Sequence, residues 1–220
     1  MKLEESASPQ MNGSRATPMV FVVDDDTSVR ESLELLIECA GWQPLLFATA
    51  QEFLSHPRGF APACLVLDVA LPGISGLDLQ GLLANRPEVP IVFITAYGNV
   101  PMTVRAMKAG AIEFLTKPFR DEALLNAVRE AIDRSHAVLC REAEIQKLRE
   151  HYALLSRRER EVMALVISGL MNKQIGRELQ ISEITVKAHR GKVMQKMKAD
   201  SLADLVKMAA RLRPPSMPKA

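Results

Sequence analysis

The 220-residue sequence predicts an α/β domain with a doubly wound, five-stranded parallel sheet, followed by a helical linker and a smaller all-α domain of four helices. Three observations predict this organisation. From Met19 onward, short apolar runs alternate with helical patterns, which is typical of βα units. The apolar runs do not alternate with polar residues, as expected of strands that are covered on both faces. From Phe119 to Ser168 the chain contains no glycine or proline, and the segment after it carries only helical patterns.

The elements of the first domain follow from apolar spacing and from residues that end helices. Strands are predicted at residues 19–23, 44–47, 63–67, 90–94 and 112–115. A helix over 27–40 is predicted because apolar residues recur at spacings of three and four, and Gly41 ends the pattern. Pro101 begins and Gly110 ends another predicted helix, over 100–109.

The second half of the chain is predicted to be helical. The first domain is expected over 19–133, a largely helical linker over 134–152 and the all-α domain over 153–213. Leu139, Ile145 and Leu148 form a thin apolar stripe in this segment, so a coiled-coil dimer seam stays open as an alternative, although the heptads do not persist. Residues that cap helix N-termini precede three of the helices expected after the linker: Ser156, Ser182 and Ser201.

The sign of the net charge also differs between the two parts of the chain, with the change near residue 140. Residues 1–140 hold 11 Lys and Arg against 17 Asp and Glu, a net charge of −6, whereas residues 141–220 hold 17 against 9, a net charge of +8. Only the C-terminal part is therefore expected to meet a polyanion, with a merely solvated basic surface as the alternative. Residues 1–18 are expected to form a disordered tail, and residues 214–220 a flexible one.

The cysteine pattern and the lengths of the apolar runs indicate the cellular compartment in which the protein is expected. Cys39, Cys64 and Cys140 are odd in number and form no CxxC pair, so neither a zinc site nor a disulfide framework is indicated. Three idle thiols point to a reducing compartment. No signal-peptide pattern precedes Met19, and no apolar run approaches the roughly 20 residues that span a bilayer. We expect a cytoplasmic protein that does not enter a membrane.

Four predicted strands end in a reactive polar group. The first runs into the acids at 24–26, the third into Asp68, the fourth into Thr95 and the fifth into Lys117. Because the carboxyl ends of parallel strands meet at one edge of a sheet, where ligands bind, these groups are expected to share one pocket. Each residue alone could be an ordinary turn, helix cap or buried hydroxyl, but their joint occurrence in this order favours a functional site.

Such a pocket has the groups that phosphoryl transfer onto an aspartate requires. Asp68 can attack phosphorus and form an acyl phosphate. Asp24 and Asp25 can hold Mg²⁺ or Mn²⁺, which neutralises the incoming oxygens. Lys117 can pair with one phosphoryl oxygen, and the hydroxyl of Thr95 can donate to another.

Residues 19–135 resemble the receiver domain of two-component response regulators, which has a flavodoxin-like fold. The matching segments are 24–25, 67–76, 95–96 and 117–119. The resemblance implies that Asp68 is the phosphoacceptor. The magnesium ligands it implies are Asp25, Asp68 and the backbone carbonyl of Ala70, with Asp24 binding through a water molecule.

The same resemblance implies a conformational switch. Thr95 moves toward the phosphoryl group in this family, and an aromatic residue on the fifth strand swings inward behind it. Phe114 holds that aromatic position and lacks a hydroxyl, so a switch there has to work by ring packing; an ordinary core ring is the open alternative. The Lys117–Pro118 peptide bond is implied to be cis.

An enzyme is the alternative from another class. The acids at 24–26 nearly match the nucleophile motif of haloacid-dehalogenase-type phosphatases, with Asp24 as nucleophile and Asp26 as general acid. This interpretation leaves Asp68 and the basic C-terminal part unexplained.

The segment from Leu155 to Met197 resembles the LuxR-type helix-turn-helix output domain. The matching segments are 155–162, 169–175 and 181–190. Together, the two resemblances identify the chain as a member of the FixJ/NarL branch of response regulators. Gly176, in the second helix of this domain, is expected to cost up to about 1 kcal/mol of helix stability.

The helix at 182–197 is the predicted DNA-reading helix. One face carries apolar residues that can pack inward, namely Val186, Val193 and Met197, together with Arg190. A second face is narrow enough to enter a major groove and consists of Lys187, Ala188, Gly191 and Gln195. Phosphate contacts are expected from Asn172, Lys173, Thr185 and Lys192. A basic helix that serves only solubility is the alternative.

The sequence thus predicts a phosphorylation-controlled transcription regulator rather than an enzyme. The expected partners are a sensor histidine kinase, double-stranded promoter DNA, RNA polymerase and, after phosphorylation, a second copy of the chain. The expected cofactor is Mg²⁺ or Mn²⁺.

Overall fold

The computed structural model describes residues 17–57 and 59–212 and contains a parallel five-stranded sheet. The strands are β1 (Met19–Val23), β2 (Gln43–Phe47), β3 (Ala63–Asp68), β4 (Ile91–Thr95) and β5 (Glu113–Thr116), and their order in the sheet is β2-β1-β3-β4-β5. Each lies within one residue of its predicted bounds. The predicted doubly wound sheet is confirmed.

Nine helices occur within the described residues. Four lie between the strands: α1 (Thr27–Cys39), α2 (Ala50–Ser55), α3 (Gly76–Leu82) and α4 (Val100–Lys108). The others follow the sheet: α5 (Asp121–Ala153), α6 (Arg157–Ile167), α7 (Asn172–Leu179), α8 (Glu183–Met197) and α9 (Leu202–Leu212). Gly41 and Gly110 have φ angles of 82° and 92°, so these glycines end α1 and α4 in a conformation that other residues rarely adopt.

The strands bury both faces, as their apolar runs require. On one face Phe21 and Phe93 pack in a core with Phe53 of α2; on the other, Val66 packs in a core with Ile37 of α1. Buried apolar area stabilises the sheet by about 25 cal/mol per Å² removed from water. Apolar cores therefore support the sheet from both sides and hold its carboxyl edge in place.

Helix α5 runs without a break through the expected end of the first domain at residue 133. The chain divides into two compact units, Met1–Leu139 and Cys140–Ala220. Ser135, in the segment expected to be linker, is buried: its hydroxyl accepts from the backbone N–H of Ala63 at 2.9 Å and donates to the carbonyl of Glu88 at 2.5 Å. These bonds fasten the start of that segment to the sheet. The boundaries at 133 and 152 stay predictions.

The second unit has its own apolar core. The core includes Leu155, Val162, Ile175, Val186, Val193, Met197 and Leu205. All three predicted caps are present: Ser156 forms a capping box with Glu159, and the hydroxyls of Ser182 and Ser201 accept from backbone N–H groups three residues later. Within its described residues this unit contains the end of α5 and four further helices, α6 to α9, and Gln180, in the turn between α7 and α8, has a φ of 53°.

The expected tails at 1–18 and 214–220 lie outside the described residues, apart from residues 17 and 18. In the described part of the chain, no helix combines the length and apolarity needed to cross a membrane.

Candidate functional site

The sheet register brings the polar strand ends together. Val23 lies beside Leu67 in the β1–β3 pair, and Thr95 lies beside Thr116 in the β4–β5 pair. The residues that end these strands or directly follow them therefore emerge at one edge: Asp24, Asp68, Thr95 and Lys117. This is the edge at which parallel sheets bind ligands.

Lys117 joins two of the carboxylates directly. Its Nζ lies 2.6 Å from Oδ2 of Asp24 and 3.3 Å from Oδ2 of Asp68. Asp24 is fully buried and Asp68 nearly so. The peptide bond from Lys117 to Pro118 is cis, as the family resemblance implies. Two buried carboxylates against one ammonium leave the pocket with an excess of negative charge.

Burial and hydrogen-bond partners shift the pKa values of both Asp24 and Lys117. Burial raises the pKa of Asp24 above its ordinary value, and the hydrogen bonds from Lys117 and from the backbone N–H of Asp26 only partly offset this effect. For Lys117, burial disfavours the ammonium, but its hydrogen bond to Asp24 and the charge of Asp68 outweigh burial and raise the pKa. Lys117 therefore stays charged at neutral pH.

The three consecutive acids have different surroundings. Asp24 accepts from the backbone N–H of Asp26 at 2.9 Å. Asp25 is exposed, and its carboxylate oxygen lies within 4.8 Å of those of Asp24 and Asp68. Asp26 is the N-cap of α1, where its side chain accepts from two backbone N–H groups. Asp26 therefore serves the helix, while Asp24 and Asp25 face the pocket.

One contact in this loop was missed by sequence reasoning. Arg30 donates from Nη1 to the backbone carbonyl of Asp24 at 2.6 Å and from Nη2 to the hydroxyl of Thr27 at 2.9 Å. This bond holds the loop that carries the acids. The only signal in the sequence is the place of Arg30 on the first turn after the acids.

Thr95 and Phe114 occupy neighbouring strands. Thr95 is buried, and its hydroxyl accepts from the backbone N–H of Tyr97 at 3.3 Å. The Phe114 ring is also buried, with its centroid 5.9 Å from that of Phe93. Gly98 lies against both residues, since a Cβ there would be 3.1 Å from the Phe114 ring and 3.5 Å from the Thr95 methyl group. The roles of Thr95 and Phe114 in a switch stay predictions.

The second unit presents the predicted DNA-contacting residues mostly on its surface. Lys173, Lys187, Ala188, Gly191 and Lys192 are exposed, whereas Asn172 and Thr185 are half-buried. On the other side of α8, Val186, Val193 and Met197 are buried, as expected. The helix thus separates a packed face from a free one.

Two side-chain pairs on this surface were not foreseen. Arg190 donates from Nη1 to Oδ1 of Asn172 at 2.6 Å, which links α8 to the first turn of α7. Lys187 lies 3.6 Å from Glu183, one turn earlier on α8. The Glu–Lys spacing of four residues was the available signal for the second pair.

An ion pair between a buried carboxylate on α6 and a partly exposed lysine on α8 holds these two helices together. Lys196 lies 2.7 Å from the buried carboxylate of Glu159 and also donates to the carbonyl of Leu154 at 3.1 Å. The hydrogen bond from Lys196, followed by that from the backbone N–H of Ser156, lowers the pKa of Glu159 from 4.5 to about 2. The ionised carboxylate is therefore the form that the fold stabilises.

Stability of the second unit is accordingly expected to depend on pH. Because the pKa of Glu159 is depressed in the folded state, its contribution is fully present above about pH 4.5 and is lost as the pH falls toward 2. Glu159→Gln is expected to cost about 1–3 kcal/mol at pH 7 and to flatten this dependence. Amide hydrogen exchange over α6 and α8 measures the effect. Glu178→Gln, at an exposed position on α7, is the control; an equal response of both variants to acid would contradict the assignment.

A sheet of this topology and a helix-turn-helix unit, joined in one chain, define a class of proteins in which a signal-receiving domain controls a DNA-binding domain. Residues 20–129 match the response regulator receiver domain, and residues 153–209 match the bacterial regulatory proteins of the luxR family. The chain belongs to the response regulators that combine these two domains.

Known relatives agree over nearly the whole chain. Nodulation protein W of Bradyrhizobium diazoefficiens is 50% identical over 195 residues, which are 88% of this chain and 86% of that protein. The transcriptional regulatory protein FixJ of the same organism is 42% identical over 193 residues, which are 87% and 94% of the two chains. The solved structure of the response regulator StyR has a TM-score of 0.77 at 50% identity and covers 89% of this chain and 100% of that one.

These relationships decide the class of function. The protein is a response regulator with a receiver domain and a LuxR-type DNA-binding domain, and relatives such as FixJ are named as transcriptional regulators. The phosphatase alternative is set aside, because the family match covers the sheet and because the supposed general acid, Asp26, caps α1.

Proposed function

We propose that Asp68 accepts a phosphoryl group from a sensor histidine kinase and that this modification controls the binding of promoter DNA by α8. The observation that carries the proposal is the contact of one ammonium, that of Lys117, with both Asp24 and Asp68 at the carboxyl edge of the sheet. The ammonium group of Lys117 already lies beside Asp68 and could pair with a phosphoryl group placed there.

The proposed transfer is a displacement at phosphorus. An oxygen of Asp68 attacks, the bond between phosphorus and the imidazole nitrogen of the donor histidine breaks, and the imidazole leaves with the electron pair. Lys117 exchanges part of its contact with Asp68 for a phosphoryl oxygen. The Thr95 hydroxyl, which accepts from the backbone N–H of Tyr97 at 3.3 Å, donates to another phosphoryl oxygen.

The residues of the pocket fit a divalent cation. Carboxylate oxygens of Asp24, Asp25 and Asp68 all lie within 4.8 Å of one another, and Mg²⁺ prefers such oxygen ligands. We propose Asp25, Asp68 and the backbone carbonyl of Ala70 as direct ligands of Mg²⁺ or Mn²⁺, with Asp24 acting through water. When bound, the ion would neutralise the charge between the carboxylates and the phosphoryl oxygens.

Binding of Mg²⁺ is expected to depend on Asp25 and not on Asp26. Asp25→Asn should weaken binding about tenfold or more, because the proposed ligand loses its charge. Asp26→Asn is the matched control, since asparagine also caps helices well and Asp26 faces α1. Calorimetric titration with Mg²⁺ measures both variants. Equal losses would mean that the acids are assigned in the wrong register.

We propose that phosphorylation of Asp68 changes DNA binding by the second unit in two steps, a conformational switch in the first unit and dimerisation of the chain. Thr95 moves toward the phosphoryl group, and the buried ring of Phe114 repacks behind it against Phe93. A second copy of the chain then supplies a second helix-turn-helix, because one such unit reads only a short half-site. RNA polymerase is the proposed further partner at the promoter.

DNA contact is proposed through the free face of α8 and the start of α7. Lys187, Ala188 and Gly191 lie on the exposed face that would enter the major groove. Lys173 and Lys192 are exposed beside it and suit phosphates, as do Asn172 and Thr185. The net charge of +8 after residue 140 supports this surface.

The two exposed lysines of α8, Lys187 and Lys192, are expected to affect DNA binding in different ways when replaced by alanine. Lys187→Ala should relax the preference at one base pair, where a good contact to guanine is worth about 1–3 kcal/mol. Lys192→Ala should weaken binding to all sequences alike and lower the salt slope by about one unit. Binding-site selection with each variant at two salt concentrations measures both effects. If Lys187→Ala kept its preference and Lys192→Ala lost it, the helix would be rotated on the DNA.

A further inference from the structure

Helix α8 exposes one large aliphatic side chain, that of Ile184, which does not contribute to the core of the second unit. Ile184 is 80% exposed, the largest exposed fraction of any large apolar side chain in the described part of the second unit, residues 140–212. It lies on the first turn of α8, while the cap of that turn is made by Ser182. A β-branched residue also brings no helix propensity to an exposed position. Neither packing nor capping therefore accounts for Ile184.

The position of Ile184 on the helix points to the groove. At about 100° per residue, Ile184 lies on the opposite side of α8 from the buried Val193. The exposed residues of α8 form one stripe around it: Glu183, Lys187, Ala188, Gly191, Lys192 and Gln195. The residues proposed to face DNA thus flank Ile184 on both sides.

The neighbours of Ile184 leave this centre apolar. Ala188, one turn later, is exposed and carries only a methyl group. Lys187 is drawn toward Glu183 on one flank, at 3.6 Å, so neither charged group is fixed over Ile184. The result is a small apolar patch in the middle of a polar, charged stripe.

We propose that Ile184 is a specificity-determining residue that contacts the C5-methyl group of thymine in the major groove. This inference rests on the proposed binding of DNA through α8. Helix-turn-helix proteins bring the N-terminal residues of the reading helix to the base edges, and an aliphatic side chain distinguishes thymine through its methyl group. Ile184 thereby supplies sequence information that the short side chains of Ala188 and Gly191 cannot.

The test removes single methyl groups from the DNA. The full-length, phosphorylated protein first selects its site, and each thymine of that site is then replaced by deoxyuridine, one at a time. We expect the wild-type affinity to fall about threefold to fivefold at one or two positions, the effect of one buried methyl group. Ile184→Ala should be indifferent to the same replacements, whereas Ile184→Val, which keeps the branch at Cβ and loses only the Cδ1 methyl group, should respond as the wild type does.

Leu154→Ala is the control, since Leu154 is an exposed aliphatic residue outside α8; it should keep the wild-type response. The inference is overturned if Ile184→Ala still distinguishes thymine from deoxyuridine, if the wild type never does, or if the selected half-sites contain no thymine. These results differ from a failure of the proposed function, in which Lys187→Ala and Lys192→Ala would bind DNA as the wild type does.

Discussion

Replacement of Asp68 by alanine is expected to abolish phosphoryl uptake, so that incubation with acetyl phosphate leaves the protein at its unmodified mass. Asp68 ends β3 in contact with the ammonium of Lys117. Asp24 is the poorer nucleophile, because its oxygens accept the shorter bonds. Lys117 and the backbone N–H of Asp26 donate to Asp24 at 2.6 and 2.9 Å, whereas Lys117 and the backbone N–H of Ala70 donate to Asp68 at 3.3 and 3.2 Å. The fold should survive, since the contact between Asp24 and Lys117 remains.

Intact-mass spectrometry measures the phosphorylated fraction, and the fluorescence of the single tryptophan, Trp42, reports whether the first unit is folded. Asp133→Ala is the matched control, because Asp133 is an exposed carboxylate on α5. The control should take up phosphoryl groups like the wild type. A full stoichiometric adduct on the Asp68→Ala protein would show that another residue is the acceptor.

Replacement of Gly76 by alanine is expected to have the largest effect on stability. Gly76 is the first residue of α3 and passes close to the end of β3. A Cβ there would lie 2.3 Å from the backbone oxygen of Asp68 and 3.0 Å from Cα of Val69. Both are main-chain atoms, one in the last residue of β3 and the other in the buried residue that follows it, so no flexible side chain can move to relieve the strain. We expect a loss of about 3 kcal/mol, at the upper end for overpacking, together with impaired phosphorylation.

Gly81→Ala provides the control within the same helix. Gly81 is exposed, and a Cβ there would meet nothing within 4 Å. Alanine should therefore stabilise the unit by about 0.5–1 kcal/mol through the lower entropy of its unfolded chain. Urea unfolding followed through Trp42 compares the two variants. Similar stabilities for Gly76→Ala and Gly81→Ala would contradict the close approach of α3 to Asp68.

The edge of the sheet could be predicted from sequence because two simple patterns coincide there. Apolar runs end where polar residues begin, and parallel strands bring those ends to the same side. These two patterns are enough to predict that four residues lie near one another: Asp24, Asp68, Thr95 and Lys117. Their contacts, such as the two bonds made by Lys117, depend on distances that the order of residues does not contain.

Contacts between distant segments were beyond sequence reasoning for the same reason. The bond from Arg190 to Asn172 joins two helices whose relative placement no local pattern specifies. Gly176 illustrates the opposite error: helix propensity counts it as a cost, whereas the structure shows that a Cβ there would lie 2.8 Å from the carbonyl oxygen of Ile181. Glycine lets the turn after α7 pass close to the helix, a tertiary effect that outweighs the local preference.

Control of DNA binding by phosphorylation of Asp68 is tested by the affinity of the full-length protein for its selected DNA site before and after phosphorylation. We expect the phosphorylated wild type to form a dimer and to bind at least about tenfold more tightly, a change of about 1.4 kcal/mol. The Asp68→Ala protein should show one unchanged, weak affinity under both conditions. Full-strength binding by the unphosphorylated monomer, or an equal gain by Asp68→Ala, would contradict the account.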